Sequence, residues 1–346
     1  MIKKLTLINF RGIKEGSLEL GDLTILVGSN NSAKTTILES LFLAPNPLRF
    51  VPYMTPHRVN LTAASLIHEL HKTLNSVGYV FLLYKYTAEE AAIRCDDKEL
   101  KFIKHGDFIR LIDNKRIFAH YVSFDTPKGR IEFFGRLELS SESSWTGDER
   151  NRERLLIPES LLISSELVKF AQWYIYSNWA YIANCGIPAR VAEDISHLVN
   201  EEYTNITIEP FLAGNLTIFG LLKDGSRIRL GDLGAGTQVY IISRILYELK
   251  NPQILLWDDV EAHMNPRMLI RIAEWFSELI ENGTQVVVTT HSLEVVRILA
   301  EFNRDAKIYV TSLENGILKA RKLTIDDVEN LLSAGIDIRM VGAMVI

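Results

Sequence analysis

The amino-acid sequence predicts an α/β fold with a mixed β-sheet as its core. The first observation is an apolar strand sequence, LTILV, that leads through a short polar loop into a helical segment at 34–43. From residue 231 onwards loop, helix, strand and helix alternate, which is typical of a mostly parallel sheet. Between these parts, short β-rich runs separated by turn residues predict an antiparallel sheet at 79–139.

The N-terminal elements follow from periodicity and from proline positions. Pro45 and Pro47 end the first predicted helix, because proline cannot continue a helix. Leucines spaced by four predict a second helix at 60–75, after a proline-containing loop at 46–58. The predicted strands before the first helix are 2–9, 16–20 and 23–28.

The later part of the middle region is also divided by composition. The polar run at 140–154 predicts a mobile loop, and 159–202 has a helical pattern. Residues 206–230 return to strands, with a hairpin turn in the sequence KDGS at 223–226.

Composition excludes several classes of protein. The 346 residues carry a formal net charge of −5, so a basic surface for nucleic acid over the whole chain is excluded. The two cysteines, Cys95 and Cys185, are far apart, which argues against a disulfide framework and a structural zinc site. No signal peptide and no apolar run long enough to span a membrane is evident. We therefore expect a cytoplasmic protein without a membrane partner.

The strongest motif is a candidate phosphate-binding loop, residues 28–36, which we call the phosphate loop. It joins an apolar strand to a helix, so its backbone N–H groups and the helix N-terminus can hold a phosphate. Lys34 would neutralise phosphate oxygens and Thr35 would bind Mg²⁺. An ordinary strand–turn–helix is the alternative. The candidate nucleotide-binding residues of the loop are Asn30, Asn31, Ser32, Ala33, Lys34, Thr35 and Thr36.

Three further segments point to the same chemistry. The strand QILLW ends in Asp258 and Asp259, where the first would hold Mg²⁺ and the second would polarise the attacking water. His291 follows the strand QVVV and could bond a γ-phosphate, although a lone histidine is more often structural. A glycine-rich segment, 231–238, precedes a helix and could hold an anion at its N-terminus. A solvated acidic turn and a plain glycine turn remain alternatives.

The order of these motifs resembles that of ABC-type ATPases of the RecF/OLD/SMC-like group. The N-F-R-G run at 9–12, the phosphate loop, the sequence LGAGTQ at 233–238, the acidic run at 258–266 and the TTHS sequence at 289–292 match it. The resemblance implies a P-loop NTPase fold, in the form of a two-lobed ABC-ATPase-like head. It also implies that ATP and Mg²⁺ bind between two copies of the chain.

The resemblance also assigns further residues and a domain layout. Arg11 would lie near the nucleotide, with a solvated loop charge as the alternative reading. Gly234, Gly236 and Gln238 would reach the nucleotide of the partner copy. We expect one head over 1–346, with neither a nuclease domain nor a long coiled coil. Its nucleotide-binding core would comprise 1–45 and 226–346, and 46–225 would be an inserted antiparallel sheet and helical lobe.

Three departures from the family pattern predict slow hydrolysis. Ala33 replaces a glycine, Ala235 replaces a serine that would contact the γ-phosphate, and Asp259 replaces the usual glutamate. Glu261 is the nearby substitute for the shorter Asp259 side chain, so both are candidate catalytic residues together with His291. Glu39, on the helix that follows the phosphate loop, is expected to be solvated.

The sequence leaves more than one function open. The first is an ATP-gated dimeric ATPase in DNA maintenance or genome defence, with DNA and a nuclease or effector protein as candidate partners. The second is a nucleotide-dependent regulator that binds a protein partner with little hydrolysis. A small-molecule kinase and a transporter ATPase subunit fit the glycine-rich helix start and the N-F-R-G run less well.

Overall fold

The computed structural model describes most of the chain. The predicted mobile loop at 140–154 lies outside the described residues. The described residues are 1–74, 76, 78–105, 108–113, 116–126, 129–135, 155–199 and 201–339.

Strands and helices cover most of the described ranges. The strands are β1 (Lys4–Phe10), β2 (Ile13–Glu19), β3 (Leu23–Val27), β4 (Phe50–Met54), β5 (Asn60–Thr62), β6 (Glu90–Cys95), β7 (Lys98–His105), β8 (Phe108–Asp113), β9 (Arg116–Thr126), β10 (Gly129–Gly135), β11 (Ser160–Ile163), β12 (Tyr203–Pro210), β13 (Leu216–Leu222), β14 (Arg227–Arg229), β15 (Ile254–Trp257), β16 (Gln285–Thr290), β17 (Lys307–Glu314) and β18 (Ile317–Leu323). The helices are α1 (Lys34–Leu43), α2 (Ala63–His71), α3 (Val168–Ser177), α4 (Trp179–Asn184), α5 (Ile187–Ser196), α6 (Ala235–Lys250), α7 (Pro266–Glu281), α8 (Leu293–Phe302) and α9 (Ile325–Ser333).

One mixed sheet organises the described part of the protein. Its strand order is β10-β9-β8-β7-β6-β1-β2-β18-β17-β3-β16-β15-β11. The strands from β17 to β11 are parallel, whereas the strands from β10 to β2 pair antiparallel. A separate three-stranded sheet consists of β12, β13 and β14. The prediction of an α/β fold with a mixed sheet core is confirmed.

The antiparallel strands of the middle region extend the core sheet. Strand β6 pairs with β1, so the antiparallel part is hydrogen-bonded to the N-terminal hairpin. Strand β11 pairs in parallel with β15 on the other side of the sheet. Strand pairing therefore crosses the boundaries drawn at residues 45 and 226, and the division into core and inserted lobe stays a prediction.

Three secondary-structure predictions were wrong in part. The predicted loop at 46–58 contains β4, and residues 79–86 form two short 3₁₀ turns rather than a strand. Residues 160–163 form the buried strand β11 instead of the start of a helix. A four-residue apolar run such as SLLI lacks the length that separates a buried strand from a helix, so its periodicity could not decide.

The parallel strands place the candidate motifs at one edge of the sheet. Every residue of β3, β15 and β16 is buried, as expected for strands covered on both faces. In the parallel register, Val27 pairs with Thr290, and Trp257 pairs with Val288. The segments that follow these three strands therefore begin side by side, at the carboxyl ends where ligands bind in such sheets.

The helix after the glycine-rich segment is packed firmly against the core. In α6, Tyr240 and Tyr247 contact the ring of Trp275 in α7 edge-on, and Trp275 also contacts Trp257 of β15. Trp275 is 1% exposed. Aromatic pairs in edge-to-face geometry add specific attraction to the burial of apolar surface. Helix α6 is thus tied to the strand that carries Asp258.

Among the helices of the described ranges, none combines the length and hydropathy needed to cross a bilayer.

Candidate functional site

The phosphate loop has an alanine in a backbone conformation that favours glycine. Ala33 has φ 72° and ψ 12°, in the left-handed region, and Asn31 also has positive φ. A left-handed conformation costs a residue with a Cβ roughly 1–2 kcal/mol, and this is why related loops have glycine here. Ala33 therefore preserves the shape of the loop at a local energetic cost.

Another position in the loop tolerates only glycine. Gly28 has φ 158°, and a Cβ built there would lie 2.6 Å from the Thr311 carbonyl oxygen and 2.9 Å from Ser32 Oγ. Ser32 itself is buried and accepts a hydrogen bond from Thr311 Oγ1 at 3.1 Å. Of the predicted nucleotide-binding residues, Ser32 therefore ties the loop to β17, whereas Asn30 and Asn31 are exposed.

Lys34 lies inside the curve of the phosphate loop. Its Nζ donates to the carbonyl oxygens of Gly28 and Ser29, both at 3.0 Å, and to Ser32 Oγ at 3.4 Å. Burial lowers the pKa of Lys34, and this effect is opposed by nearby carboxylates, led by Asp259. The ammonium group is thus held on the inner side of the phosphate loop by backbone and hydroxyl oxygens of that loop.

A chain of hydroxyl and carboxylate groups joins the ends of three strands. Thr35 Oγ1 donates to Asp258 Oδ2 at 2.9 Å, and Thr289 Oγ1 donates to Asp258 Oδ1 at 2.6 Å. Burial raises the pKa of Asp258, while the bond from Thr289 lowers it and the charge of Asp259 raises it. Thr35 and Asp258 therefore present adjacent oxygens, which are the ligands that Mg²⁺ prefers. Magnesium in phosphoryl-transfer sites takes its remaining ligands from phosphate and water, so these two residues fit the ion.

Asp259 and His291 face each other beside this chain. Asp259 has a positive φ of 48°, and its backbone N–H donates to Thr289 Oγ1 at 2.8 Å. Its Oδ1 lies 3.7 Å from His291 Nε2, and both side chains are partly exposed. The left-handed turn therefore directs the carboxylate of Asp259 towards the histidine and the open side of the site.

Glu261 has a different environment from the one predicted for a substitute base. Its Oε1 accepts the backbone N–H of His291 at 2.5 Å, so one carboxylate oxygen is engaged with the loop after β16. Its Oε2 is buried and has no hydrogen-bond partner in the described structure. The contact fixes the position of His291, and this favours a positioning role over activation of water.

A residue near the C-terminus completes the loop that carries His291. Arg339 Nη1 donates to the His291 carbonyl oxygen at 3.1 Å, and its guanidinium is paired with Asp337. Nothing in the sequence points to Arg339, because it belongs to no motif and lies 48 residues from His291. Both backbone groups of His291 are thus bonded to charged side chains.

Arg11 is held beside the phosphate loop by a buried carboxylate. It forms an ion pair with Glu39, which is 1% exposed and also accepts a hydrogen bond from His71 Nε2 at 2.5 Å. Burial lowers the pKa of Arg11 to about 10, and burial together with the charge of Arg11 lowers the pKa of His71 to about 4. His71 is therefore neutral at pH 7 and donates to Glu39. The readings of Arg11 as a solvated loop charge and of Glu39 as solvated were both wrong.

A cavity of about 960 Å³ opens next to Arg11. It is bordered by Arg11 and Asn31 on the phosphate-loop side and by the aromatic residues Phe81, Tyr84 and Tyr86 on the other. The guanidinium of Arg11 lies 5.8 Å from the centre of the Phe81 ring. Such a cavity combines flat apolar surfaces with a few polar groups, as small-molecule sites do.

The glycine-rich segment at 231–238, called the signature segment below, packs against the turn after β15 of the same chain. A Cβ on Gly236 would lie 2.3 Å from the His263 carbonyl oxygen, whereas a Cβ on Gly231 or Gly234 would contact nothing within 4 Å. Gln238 Nε2 donates to the Leu233 carbonyl oxygen at 2.8 Å, within its own segment. Gly236 and Gln238 thus have local structural roles, and the exposed part of the segment is residues 231–235 apart from the half-buried Leu233.

The predicted site residues fall into two groups. The first comprises the phosphate loop and its surroundings, and it contains Arg11, Asn30, Asn31, Ser32, Ala33, Lys34, Thr35, Thr36, Asp258, Asp259, Glu261 and His291. The second contains Gly234, Gly236 and Gln238 at the start of α6. In the described part of the chain, no hydrogen bond links the signature segment to the phosphate loop.

Comparison with known proteins identifies the family. A family model described as "AAA domain, putative AbiEii toxin, Type IV TA system" matches residues 23–297. The chain belongs to this family. The match spans the phosphate loop, the acidic strand end and His291, so this AAA-domain family supplies the nucleotide-binding ATPase architecture that the motifs predict.

Solved structures agree with this fold, whereas no curated protein matches the chain. One similar structure is an SMC head bound to the C-terminal winged-helix domain of ScpA, with a TM-score of 0.54 and 14% identity over 95% of this chain and 99% of that one. Another is an SMC head with an extended coiled coil bound to the ScpA C-terminal domain from Pyrococcus furiosus, with a TM-score of 0.50 and 13% identity over 96% and 98%. The P-loop NTPase fold of the RecF/SMC-like group is confirmed.

The contact between Gly236 and His263 predicts a position-specific effect of an added methyl group. Gly236→Ala should destabilise the protein by about 1–3 kcal/mol, because the backbone carbonyl of His263 or the start of α6 must shift. The free energy of unfolding in urea measures this. Gly231→Ala, whose added methyl group would meet no atom within 4 Å, is the matched control and should not destabilise the protein. Equal effects of the two substitutions would contradict the packing described.

The raised pKa of Asp258 predicts a pH-dependent effect of Asp258→Asn without nucleotide. A carboxyl whose pKa is raised in the folded state lowers the free energy of unfolding of the protein as the pH rises. The decrease begins at the ordinary pKa of the unfolded state and continues through the pKa of the folded state. The variant lacks this loss, so its free energy of unfolding relative to the wild type should increase with pH. The measurement is urea unfolding between pH 4 and pH 7.

The control for this prediction is the exposed Asp305→Asn, which removes a carboxylate from the surface instead of from the buried site. A variant that is destabilised equally at both ends of the pH range would contradict the assignment of a buried, unfavourable charge.

Proposed function

We propose that the protein binds Mg-ATP between two copies of the chain and hydrolyses it slowly, as a switch in DNA maintenance or genome defence. The observation that carries this proposal is the contact between Thr35 and Asp258 at the mouth of the phosphate loop. It brings the predicted metal-binding hydroxyl and carboxylate together next to Lys34. An ordinary strand–turn–helix has no reason to join these groups across 223 residues of sequence.

The binding step follows from the geometry of the loop. Helix α1 begins at Lys34, and the ammonium of Lys34 lies against the carbonyl oxygens of the phosphate loop, so the helix N-terminus and this cation suit the β- and γ-phosphates of ATP. Bound Mg²⁺ would neutralise phosphate charge, and Thr35 and Asp258 would hold it. The cavity between Arg11 and Tyr84 has the size and the aromatic wall to take the adenosine part.

Slow hydrolysis follows from the two carboxylates near His291. Asp259 is directed to the open side of the site, but its side chain is one methylene shorter than the glutamate of the family pattern. A misplacement of about 1 Å can reduce a rate about 100-fold. Glu261 is less suited to take over, because its Oε1 already accepts the backbone N–H of His291 and its Oε2 is buried from solvent.

Dimerisation is supported by the exposed start of α6. The helix has sixteen residues, and its N-cap, Gly234, has no side chain that could cap the first turn. The uncapped N–H groups of such a helix attract an anion. A second copy could therefore bring residues 231–235 to the γ-phosphate. Ala235 lacks the hydroxyl of the family's serine, which weakens this contact without removing the backbone groups.

The alternative function is a nucleotide-dependent regulator that binds a protein partner with little or no hydrolysis. The engagement of Glu261 and the missing hydroxyl at Ala235 favour it. The SMC head of similar fold is itself bound to a domain of another protein, ScpA. Salt-sensitive binding to duplex DNA only in the presence of ATP would favour the first function, because phosphate contacts release counterions.

The assignment of Asp259 predicts a gain of activity. Asp259→Glu should raise kcat for ATP hydrolysis by about 10- to 100-fold, because the longer side chain recovers the missing reach. Lys34→Ala should remove ATP binding. Released phosphate at saturating ATP measures the first change, and equilibrium binding of a labelled ATP analogue measures the second.

Glu261→Gln is the matched control, since the amide oxygen still accepts the His291 N–H. It should leave kcat within a few-fold of the wild type. The assignment fails if Glu261→Gln abolishes turnover while Asp259→Ala leaves it unchanged, because Glu261 would then be the base.

A further inference from the structure

A second cleft, of about 550 Å³, lies beside the signature segment. We call it the signature cleft. Its walls are helix α3, the turn between β12 and β13, and the residues Leu230 and Gly231 that lead into the signature segment. It shares no lining residue with the phosphate loop or with the cavity next to Arg11. Its volume falls within the range of about 300–1,000 Å³ typical of small-molecule sites.

One wall of the cleft is aromatic and partly exposed. Trp173 is 36% exposed, and its ring meets that of Tyr176 at 6.3 Å and 88°. The neighbouring Ile175 is fully buried, so the helix α3 packs on the core with a different face. The exposed ring of Trp173 is therefore available to a ligand with a flat face.

The cleft also contains a cation for which the described ranges supply no carboxylate partner. The guanidinium of Arg58 lies 4.9 Å from the centre of the Tyr176 ring, and its Nη2 is 3.3 Å from the tyrosine hydroxyl. Within the described ranges, Arg58 forms no ion pair with an acidic side chain. A fixed, exposed arginine on an aromatic wall suits an anionic group attached to an aromatic ring.

Short polar side chains line the remaining walls. Gln172 and Asn215 supply amides, and Thr217 supplies a hydroxyl. Amides both donate and accept, so they can bond the edge of a nucleobase. Stacking on aromatic rings, a guanidinium for phosphate and amides for base edges together form the usual recognition set for unpaired nucleotides.

We propose that the signature cleft binds one unpaired nucleotide, with its base against Trp173 and its phosphate near Arg58. The nucleotide is either a free mononucleotide or one unit of a single-stranded nucleic acid, since both have the same chemistry. The net charge of −5 agrees with a local site rather than a surface that binds nucleic acid along its whole length. This site is separate from the ATP site.

The test measures binding of two probes to the full chain, fluorescein-labelled (dT)₈ by anisotropy and dTMP by calorimetry. A saturating non-hydrolysable ATP analogue keeps the ATP site filled in both. At least one probe should bind, and Trp173→Ala should weaken that binding roughly 5- to 100-fold, the range for loss of one stacked base. Trp173→Phe keeps a stacking ring and should restore much of the affinity.

Arg58→Gln should weaken binding and reduce the slope of log affinity against log salt by about one, as expected for one lost phosphate contact. The matched controls are Tyr181→Ala, an exposed aromatic outside the cleft, and the exposed Arg304→Gln. Both should bind as the wild type does. Circular dichroism melting of each variant confirms that it is folded.

If only (dT)₈ binds, the ligand is a single-stranded nucleic acid. If dTMP also binds, and Trp173→Ala weakens its binding as much as that of (dT)₈, the cleft takes a free nucleotide. The proposal is overturned if neither probe binds, which is the result expected of a cleft that takes a peptide. It is also overturned if Trp173→Ala binds both probes with the affinity of the wild type. The residues changed in these variants lie outside the ATP site. If the wild type failed to bind ATP or to dimerise with it, that result would therefore count against the proposed function and not against this site.

Discussion

The carboxylate of Asp258 accepts hydrogen bonds from Thr35 and Thr289, and the arrangement of the site depends on these two bonds. Each partner belongs to a different segment: one begins the helix after β3, and the other lies near the end of β16. Their meeting requires that β3, β16 and β15 be parallel and in register, as strands that are buried along their whole length and covered on both faces of the sheet can be. The buried charge at Asp258 is unfavourable without a cation, and the same arrangement is therefore suited to Mg²⁺.

The sequence predicted that the motifs converge, but it did not predict which other residues hold the motif residues in place. Lys34, Asp258 and His291 each follow an apolar strand, and strands of a parallel sheet end at the same edge, so their proximity was predictable. The surroundings of Glu39 were not, because helical spacing does not say which other segment covers a given face. The role of Arg339 was also out of reach, since its partner is a backbone carbonyl far away in the sequence and carries no motif.

The signature segment at the start of α6 matches a family motif, yet contacts within the same chain already explain one of its glycines. Gly236 is required by the close approach of the His263 carbonyl in the same chain, whatever a second copy contributes. The helix is also joined to α5 and α7 through Asp194, which pairs with Arg244 and Arg271. Together with the contacts of Trp275, these pairs link the signature segment to the strand that carries Asp258. We therefore expect the two to move together when nucleotide binds, so that rearrangement would occur chiefly between copies.

The central claim is that ATP binds at the phosphate loop and joins two copies of the chain. Light-scattering mass with and without Mg-ATP, with bound nucleotide determined on the same sample, tests it most directly. The account predicts that the mass doubles with Mg-ATP for the wild type, with ATP retained and little phosphate released, and stays unchanged for Lys34→Ala. A wild-type protein that retains ATP at an unchanged mass would contradict the claim that nucleotide joins two copies.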